Sequence, residues 1–382
     1  MHKLSDFDIK NKNLTIRVDM NVPIREGEVI DQTRIKACIP TIELALKNNA
    51  SILLISHLGR PEEGRFDDGL SLKPVAKCLS EIFQFTVDVI KDLEDETIFN
   101  GSSPIQVLEN IRFFDGEKSN KDSLGKSLAD LGDIYVFDAF GTSHREQAST
   151  HSAITNSKFS CAGLLLEKEI EALTKALKNS DSPFVAVIGG AKVSTKLELI
   201  KNINIKAENI IVGGGIANTF IKAAGYEIGK SLYEDSMLNV ASEILESNKI
   251  MLPEKVVTSL SFEGKNIQEK MLVDINKDDM ILDQFVTEAM KQTLLDSKTI
   301  LWNGPLGVFE NESFSKGTEE LSKIIASSDS FSLAGGGETL TAINKFINKD
   351  DVSYCSTGGG AFLEFMEGKE LPSIAALKAK IL

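Results

Sequence analysis

Cysteine is scarce in this chain, and its spacing supports no cross-link. The 382 residues include only four cysteines, Cys38, Cys78, Cys161 and Cys355, and four histidines that do not cluster with them. No Cys-x-x-Cys pair occurs. The sequence therefore predicts neither a disulfide framework nor a zinc site.

Long hydrophobic runs and a positive net charge are also missing. No apolar stretch is long enough to span a bilayer, and residues 1–8 lack the apolar segment of a signal peptide. We therefore expect a cytoplasmic protein with no membrane partner. The net charge of −14 argues against a nucleic-acid partner, because nucleic acids attract basic surfaces. A local basic cleft is still compatible with an acidic chain, so an anionic substrate stays open.

Three common catalytic or nucleotide-binding signatures are absent. There is no Gly-x-x-x-x-Gly-Lys-[Ser/Thr] segment, which excludes a standard P-loop. None of the glycine clusters completes Gly-x-Gly-x-x-Gly, which weakens the alternative of an NAD-dependent oxidoreductase. No Gly-x-Ser-x-Gly elbow supports a serine hydrolase.

The chain instead shows a regular alternation of short apolar strands and amphipathic helices. Strands are predicted at 14–18, 51–55, 105–108, 134–137, 184–188, 210–212, 299–302, 331–333 and 352–355, and helices at 34–48, 72–83 and 164–177. Such alternation implies parallel sheets with helical crossovers, and the length exceeds one typical domain. The predicted fold is α/β, with two doubly wound, Rossmann-like parallel-sheet domains joined by a helix and hinge and separated by a cleft.

The loops after the first-half strands carry many cations. Together with the helix start at Arg34, they present Asp19, Asn21, His57, Arg60, Arg112 and Arg145. Ligands of open α/β sheets bind beyond the carboxyl ends of the strands, and guanidinium groups match phosphate and carboxylate geometry. For any single arginine, a local acidic partner is the simpler explanation. Four arginines and a histidine at one sheet edge predict a site for a small, multiply charged anion.

The second-half strands end in glycines instead. The clusters are 189–190, 213–215, 304 and 307, 335–337, and 358–360. Backbone amides at glycine turns and helix starts cradle phosphates. Lys192 and Lys196 are predicted to share one face of a helix that runs to about Asn202. Five such turns, with these lysines and Glu338 among them, favour a nucleotide site. An anion domain that faces a nucleotide domain suits phosphoryl transfer.

Taken together, these segments resemble the phosphoglycerate kinase family. The matching motifs run in order along nearly the whole chain: Arg17-Val-Asp-Met-Asn-Val-Pro23, His57-Leu-Gly-Arg-Pro61, Glu109-Asn-Ile-Arg-Phe113, Asp138-Ala-Phe-Gly-Thr-Ser-His-Arg145, Gly189-Gly-Ala-Lys-Val-Ser-Thr-Lys196, Gly213-Gly-Gly-Ile-Ala-Asn-Thr-Phe220, Trp302-Asn-Gly-Pro-Leu-Gly-Val-Phe-Glu310, Gly335-Gly-Gly-Glu-Thr339 and Ser356-Thr-Gly-Gly-Gly-Ala361. The resemblance implies reversible phosphoryl transfer between ATP and 3-phosphoglycerate, giving ADP and 1,3-bisphosphoglycerate, with Mg²⁺ as cofactor. It also implies a glycolytic, hinge-bending monomer.

The resemblance assigns roles residue by residue. It places 3-phosphoglycerate on Asp19, Asn21, Arg34, His57, Leu58, Gly59, Arg60, Arg112 and Arg145. It places the nucleotide on Gly190, Ala191, Lys196, Gly214, Glu310, Gly336, Gly337, Glu338 and Thr339, with Glu310 on the ribose hydroxyls. Arg34 and Lys192 would neutralise the transferring phosphoryl group. No general base is expected, because the acceptor carboxylate is already ionised at pH 7.

The same resemblance implies a division of the chain. The 3-phosphoglycerate domain spans 1–168, a linking helix spans 169–182, and the nucleotide domain spans 183–364. Residues 365–382 would return to the first domain and couple domain closure.

Three positions depart from the family pattern. Glu338 replaces the aspartate that normally binds magnesium, and a glutamate reaches one methylene further. Leu282-Asp-Gln-Phe285 replaces Leu-Asp-Ile-Gly, so a glycine on the nucleotide side is missing, and Phe362 replaces the usual serine near the expected hinge. Two alternatives stay open beside the oxidoreductase: a kinase for a different carboxylate, and a nucleotide-binding protein without turnover.

Overall fold

The computed structural model describes residues 1–380, and the chain divides into two compact units. The first unit comprises Met1–Glu171 and the segment from Glu370 onward, and the second comprises Ala172–Lys369. The division falls within the helix Leu164–Leu177. The last two positions of the C-terminal segment, 381 and 382, lie outside the described residues. The functional domain boundaries given above stay predictions.

A six-stranded parallel sheet organises the first unit. Its elements are β1 (Asn13–Val18), β2 (Ile24–Arg25), β3 (Glu28–Val29), α1 (Thr33–Lys47), β4 (Ser51–Ile55), α2 (Lys73–Phe83), β5 (Asp88–Ile90), β6 (Ile105–Leu108), α3 (Asp122–Asp130), β7 (Ile134–Asp138), α4 (Ala153–Asn156), β8 (Ser160–Ala162) and α5 (Leu164–Leu177). The strand order is β5-β6-β4-β1-β7-β8, and β2 and β3 form a separate hairpin.

The central strands of this sheet are buried on both faces. Consecutive residues Ile52 to Ile55 of β4 and Leu14 to Val18 of β1 are all nearly inaccessible. This is the reason for the unbroken apolar run of β4 and the largely apolar β1, because helices cover both sides of a parallel sheet. Arg17 is the charged exception within β1.

A second six-stranded parallel sheet organises the second unit. The remaining elements are β9 (Phe184–Ile188), α6 (Leu197–Lys206), β10 (Asn209–Val212), α7 (Gly214–Ala223), α8 (Leu238–Leu245), β11 (Ile250–Met251), β12 (Lys255–Ser259), β13 (Gln268–Met271), β14 (Met280–Gln284), α9 (Glu288–Asp296), β15 (Thr299–Asn303), α10 (Lys316–Ser327), β16 (Phe331–Ala334), α11 (Gly337–Phe346), β17 (Tyr354–Cys355), α12 (Gly360–Met366) and, in the first unit, α13 (Pro372–Ala379). The strand order is β11-β10-β9-β15-β16-β17, a doubly wound arrangement.

The predicted α/β fold with two doubly wound parallel sheets is confirmed. Each predicted strand and helix named above lies within two residues of an observed one, apart from the helix after β9 described below. The antiparallel sheet β13-β12-β14 was not predicted, and neither were the short strands β5, β8 and β11. Within residues 1–380, no helix combines the length and apolarity needed to cross a membrane.

Candidate active site

The cations of the first unit lie beyond the carboxyl ends of neighbouring strands. Asp19 and Asn21 follow β1, residues 57–60 follow β4, Arg112 lies in a 3-10 turn after β6, and Arg145 follows β7. Because β6, β4, β1 and β7 are adjacent in that order, the topology brings these residues to one edge of the sheet. We call Arg34, His57, Arg60, Arg112 and Arg145 the basic cluster.

Hydrogen bonds among the loops hold the basic cluster in place. Arg34 Nη1 donates to Asp19 Oδ2 at 2.9 Å, which fixes the guanidinium at the start of α1 beside the β1 loop. The amide of Gly59 donates to Asn21 Oδ1 at 3.0 Å, and Arg112 Nη1 donates to the carbonyl of Gly59. Asp19, Asn21 and Gly59 thus orient Arg34 and Arg112.

Leu58 and Arg60 of the 57–60 loop have different environments. Leu58 is 4% exposed, and its backbone N–H and C=O both pair with the Asn110 side chain, at 3.2 and 2.8 Å. Its side chain packs into the core, so Leu58 anchors the loop. Arg60 is exposed, and its positive charge acts on both Arg112 and Arg145.

The basic cluster carries more positive charge than its own acids neutralise. Burial, together with the charges of Arg145 and Arg17, lowers the pKa of Arg112 to about 10. Burial likewise lowers the pKa of Arg145. The Nε of Arg112 is enclosed and has no hydrogen-bond partner within residues 1–380. A bound anion would relieve this repulsion, so the arrangement is chemically suited to an anion.

His57 is held neutral in this environment. The side chain is 2% exposed, and burial, then the charges of Arg17 and Arg112, lower its pKa well below the usual value. Its Nδ1 lies 3.3 Å from Arg17 Nη2. A guanidinium can only donate, so Nδ1 accepts and Nε2 carries the proton. His57 can therefore donate one hydrogen bond to an anion but cannot act as a cation.

The sequence did not predict a buried hydrogen-bond network that lies next to His57. Arg17 Nε donates to Ser149 Oγ at 2.9 Å, and Ser149 donates from Oγ and N to the two carboxylate oxygens of Glu117 at 2.6 and 2.8 Å. Arg17 is 1% exposed and Glu117 is fully buried. Burial raises the pKa of Glu117, and the charge of Arg17 opposes that shift. The sequence did contain one sign of this network. Arg17 lies within a largely apolar strand, and a buried charge must have partners.

In the second unit, the ends of β9 and β15 lie side by side where the winding direction reverses. Gly189 N–H donates to Asn303 O at 3.0 Å, and a Cβ on Gly189 would lie 1.9 Å from the carbonyl oxygen of Pro305. Only glycine fits at such a distance. The glycine at 189 is therefore required by the approach of two loops, whereas neighbouring Gly190 lines a pocket.

The pocket opens beside these loops and lies entirely within the second unit. Of the predicted nucleotide-binding residues, its lining includes Gly190, Ala191, Gly214, Glu310 and Glu338. Much of the remaining lining is apolar and comprises Leu232, Phe262, Met280, Ile281, Leu282, Pro305, Leu306 and Val308. An apolar concavity with glycine backbone and a few polar groups is typical of a ligand site.

The prediction that Lys192 and Lys196 share a helix face is wrong. The helix α6 spans Leu197–Lys206, so it begins after both lysines and ends beyond position 202. Lys192 is exposed in the preceding loop. Tertiary contacts hold this loop: both the amide and the hydroxyl of Ser194 donate to the Glu234 carboxylate. These contacts override the helical spacing of the sequence.

Lys196 is a half-buried cation beside the β9 and β15 loops of the second unit. Its Nζ donates to the carbonyl oxygens of Gly189 and Asn303, the latter at 3.1 Å. Burial lowers the pKa of Lys196 to about 8, and the negative charge of Glu338 partly offsets this effect. The ammonium group thus lies at the junction of the β9 and β15 loops.

The glycine turn before α11 contains the other predicted nucleotide residues. Gly336 has φ 97°, Gly337 begins α11 with open space around it, and Glu338 is exposed in the first turn. The buried Thr339 hydroxyl accepts from the amide of Gly304 at 2.8 Å and donates to a carbonyl of its own turn at 2.9 Å. Thr339 therefore ties the α11 turn to the β15 loop, and its hydroxyl is already engaged.

Two residues that depart from the family pattern, Phe362 and Phe285, pack against other parts of the second unit. A Cβ on Gly335 would lie 2.5 Å from the ring of Phe362, which is fully buried against the α11 turn. The ring of Phe285 lies under Lys255, with Nζ 4.7 Å from its centroid. The missing glycine at 285 therefore puts an aromatic ring on the antiparallel sheet, and Phe285 is not part of the pocket lining.

Metal-binding capacity in the protein itself is limited. Across residues 1–380, no group of three or more His, Cys, Asp or Glu side chains converges to hold a metal ion. Glu338 is thus a single carboxylate, and a cation there would need oxygen ligands from elsewhere.

Comparison with known proteins identifies the family. The family model described as phosphoglycerate kinase matches residues 4–369. A curated phosphoglycerate kinase from Francisella tularensis subsp. tularensis is 49% identical over 387 residues, which is 99% of this chain and 98% of the relative. One from Francisella philomiragia is 48% identical over 390 residues, with the same shares covered.

Two solved structures are similar over essentially the whole chain. Phosphoglycerate kinase from Coxiella burnetii has a TM-score of 0.92 and 42% identity, and the match covers 99% of each chain. The enzyme from Pyrococcus horikoshii OT3 has a TM-score of 0.83 and 33% identity, covering 100% of this chain and 99% of the other. The chain belongs to the phosphoglycerate kinase family and is therefore a kinase.

Proposed function

We propose that the chain transfers a phosphoryl group reversibly between ATP and the carboxylate of 3-phosphoglycerate, giving ADP and 1,3-bisphosphoglycerate in glycolysis. The observation that carries this proposal is the basic cluster, in which the buried Arg112 and the half-buried Arg145, both with lowered pKa values, converge at one sheet edge. An acid that also carries a phosphate has two anionic ends, and several guanidinium groups are needed to bind both. Family membership supports the same reaction.

The proposed acceptor site is the basic cluster with Asp19 and Asn21. Arg112 and Arg145 bind the substrate's charges, while Asp19 and Asn21 hold the loops through their bonds to Arg34 and Gly59. Leu58 acts through its backbone anchorage to Asn110. His57 donates from Nε2 as a neutral group, so the acceptor carboxylate keeps its negative charge and its nucleophilicity.

The proposed donor site is the pocket of the second unit. Backbone groups of Gly190, Ala191 and Gly214 approach the nucleotide, and Glu310 accepts from ribose hydroxyls. The polyphosphate lies near Lys196 and the amino end of α11 at Gly336 and Gly337, because a helix start favours anions. Thr339 contributes by tying that turn to the β15 loop.

The proposed chemistry is positioning and charge neutralisation. Lys192 and Arg34 neutralise the transferring phosphoryl group, and no general base is required. Donor and acceptor bind to separate units, so the proposal includes a hinge-bending step that brings the two substrates together and excludes water.

The proposed cofactor is Mg²⁺, which would bind together with the nucleotide. Glu338 is an exposed carboxylate in the first turn of α11, beside the glycine turn proposed for the phosphates. This fits a metal that is held by one carboxylate, phosphate oxygens and water, as Mg²⁺ usually is. When bound, the metal would supply further neutralisation of phosphate charge. Glu338 would hold the metal. The negative charge of the same carboxylate also acts on Lys196 and raises the pKa of that lysine.

The proposal also includes a cytoplasmic monomer. The support is membership of the family. Light scattering at micromolar concentration tests the oligomeric part: the mass of a single 41.7 kDa chain is expected, and a dimer would contradict it.

The experiment that tests the reaction is a coupled assay. ATP, Mg²⁺ and 3-phosphoglycerate are supplied, and NADH consumption is followed through added glyceraldehyde-3-phosphate dehydrogenase. Turnover that requires 3-phosphoglycerate is expected. Arg145→Ala should raise KM for 3-phosphoglycerate, whereas Arg25→Ala, whose side chain is 80% exposed in the β2–β3 hairpin, is the matched control. No turnover despite bound nucleotide, or an unchanged KM in Arg145→Ala, would contradict the proposal.

A further inference from the structure

One polar side chain of the nucleotide pocket has no part in the chemistry described so far. Gln284 ends β14, is 3% exposed and contributes to the pocket lining. Its neighbours in that lining include the apolar side chains of Ile281, Leu282 and Leu306. A carboxamide in apolar surroundings is costly unless its donor and its acceptor both find partners.

The donor end of this amide is fixed by the backbone. Gln284 Nε2 donates to the carbonyl oxygen of Val212 at 2.9 Å. A carbonyl only accepts, so the NH₂ group must face Val212 and Oε1 must point elsewhere. Val212 ends β10 and directly precedes the 213–215 glycine turn. The orientation of the amide is therefore set by the sheet.

The acceptor end of this amide has no partner among residues 1–380. Within the described chain, the side chain of Gln284 makes only the bond to Val212. Its Oε1 is nevertheless not one of the enclosed atoms that lack a partner, in contrast to Oδ1 of the adjacent Asp283. Oε1 therefore retains some accessible surface, and Gln284 is one of the residues that line the pocket. We take Oε1 as the part of the side chain that borders this space. A fixed acceptor in an apolar wall distinguishes ligand donors from ligand acceptors.

We propose that Gln284 is a specificity-determining residue that selects the nucleotide base. Its Oε1 accepts a hydrogen bond from the 6-amino group of adenine and opposes the 6-oxo group of guanine or hypoxanthine. Adenine presents a donor at this position and guanine an acceptor, so one fixed acceptor is enough to separate them. This inference rests on the proposed nucleotide site of the second unit.

The layout of the pocket leaves its apolar part for the base. The glycine backbones and α11 are assigned to the polyphosphate, and Glu310 to the ribose. The remaining lining, which includes Leu232, Phe262 and Val308, is suited to the flat faces of a purine. Gln284 belongs to this same lining and supplies the polar group that such a pocket needs for orientation.

A purely structural role for Gln284 makes a different prediction. The bond from Nε2 to Val212 also links β14 to β10, so its loss would lower stability. That effect weakens the binding of all nucleotides equally. Base selection instead changes the ratio between two nucleotides, and the ratio is the quantity to measure.

The experiment compares kcat/KM for ATP and GTP in wild type, Gln284→Met and Gln292→Met. Gln292 is exposed on α9 and bonds only to Asp296, so it is the matched control. We expect wild type to prefer ATP about tenfold, because one lost neutral hydrogen bond is worth roughly that factor. Gln284→Met should bring the ratio to within about threefold of parity, and Gln292→Met should leave it unchanged. An unchanged ratio in folded Gln284→Met would overturn the proposal.

A second measurement needs no variant and no turnover. Calorimetry on the wild-type protein compares the Kd of ADP with those of inosine diphosphate and purine riboside diphosphate, which lacks any 6-substituent. ADP should bind about tenfold more tightly than either. Equal affinities would refute base selection. Selective ADP binding without turnover on 3-phosphoglycerate would refute the proposed reaction and leave the role of Gln284 intact, so the two failures are distinguishable.

Discussion

Nucleotide binding should weaken as the pH rises through 8, and the cause should be Lys196. Burial against the carbonyls of Gly189 and Asn303 lowers the pKa of this lysine to about 8. A bound polyphosphate favours the ammonium form and raises that pKa. Below pH 8 the free protein already carries the charge. Above pH 8 the charge is lost, so binding must take up a proton.

The magnitude follows from the pKa. With a value of about 8, about nine-tenths of the free protein carries the ammonium at pH 7, and about one-tenth carries it at pH 9. The Kd for ADP should therefore rise about tenfold between these pH values, which corresponds to about 1.4 kcal/mol. An ordinary exposed lysine, with a pKa near 10.4, would leave Kd almost unchanged over the same range.

Isothermal titration calorimetry with ADP from pH 6.5 to 9.5 measures this effect, and buffers of different ionisation enthalpy count the proton taken up. Lys196→Arg should flatten the curve, because arginine stays charged throughout. Lys201→Met, at an exposed position on α6, is the control and should retain the wild-type slope. Burial raises the pKa of Asp283 in the same pocket to about 7, so Asp283→Asn identifies any contribution at lower pH. A flat wild-type curve, or a slope that persists in Lys196→Arg, refutes the reasoning.

Three further perturbations test the site. Lys192→Ala should lower kcat by roughly a hundredfold or more with little change in KM, as for lost transition-state stabilisation, and an unchanged kcat in steady-state assays would remove its role. Glu338→Gln should raise the Mg²⁺ concentration needed for half-maximal rate; indifference would mean that phosphates and water alone hold the metal. Ser149→Ala removes the bridge between Arg17 and Glu117 and should cost about 1–3 kcal/mol of unfolding free energy while raising KM for 3-phosphoglycerate, measured by denaturant melts and kinetics. Unchanged values of both would show that the bridge is dispensable.

The helix after β9 shows where local reasoning failed. The spacing of Lys192 and Lys196 fits a helix, yet the chain remains a loop until α6 begins at Leu197. The loop is held by Glu234, which lies forty positions further along the sequence from Ser194. A contact over that separation leaves no trace in local periodicity, so propensity alone placed the helix start too early.

The exposed strand β13 of the antiparallel sheet was missed for a related reason. This strand, Gln268–Met271, is largely exposed and carries mostly polar or charged side chains. It is defined by pairing with β12, in a register that joins Lys255 to Met271. Exposed strands of this kind lack the apolar run that identified the central strands of both parallel sheets.

By itself, the sequence determined the α/β class, the positions of the buried strands and the family motifs, because apolar runs and helical periods are local properties. It also indicated that cations follow the first-half strands and glycines the second-half strands. Only the tertiary structure decided which of these groups are buried and what each one touches. Arg17 reaches Ser149 across 132 positions, Gln284 reaches Val212 across 72, and Lys196 reaches Asn303 across 107. Protonation states and hydrogen-bonding roles depend on such distant neighbours, because burial and nearby charges set the pKa of each group.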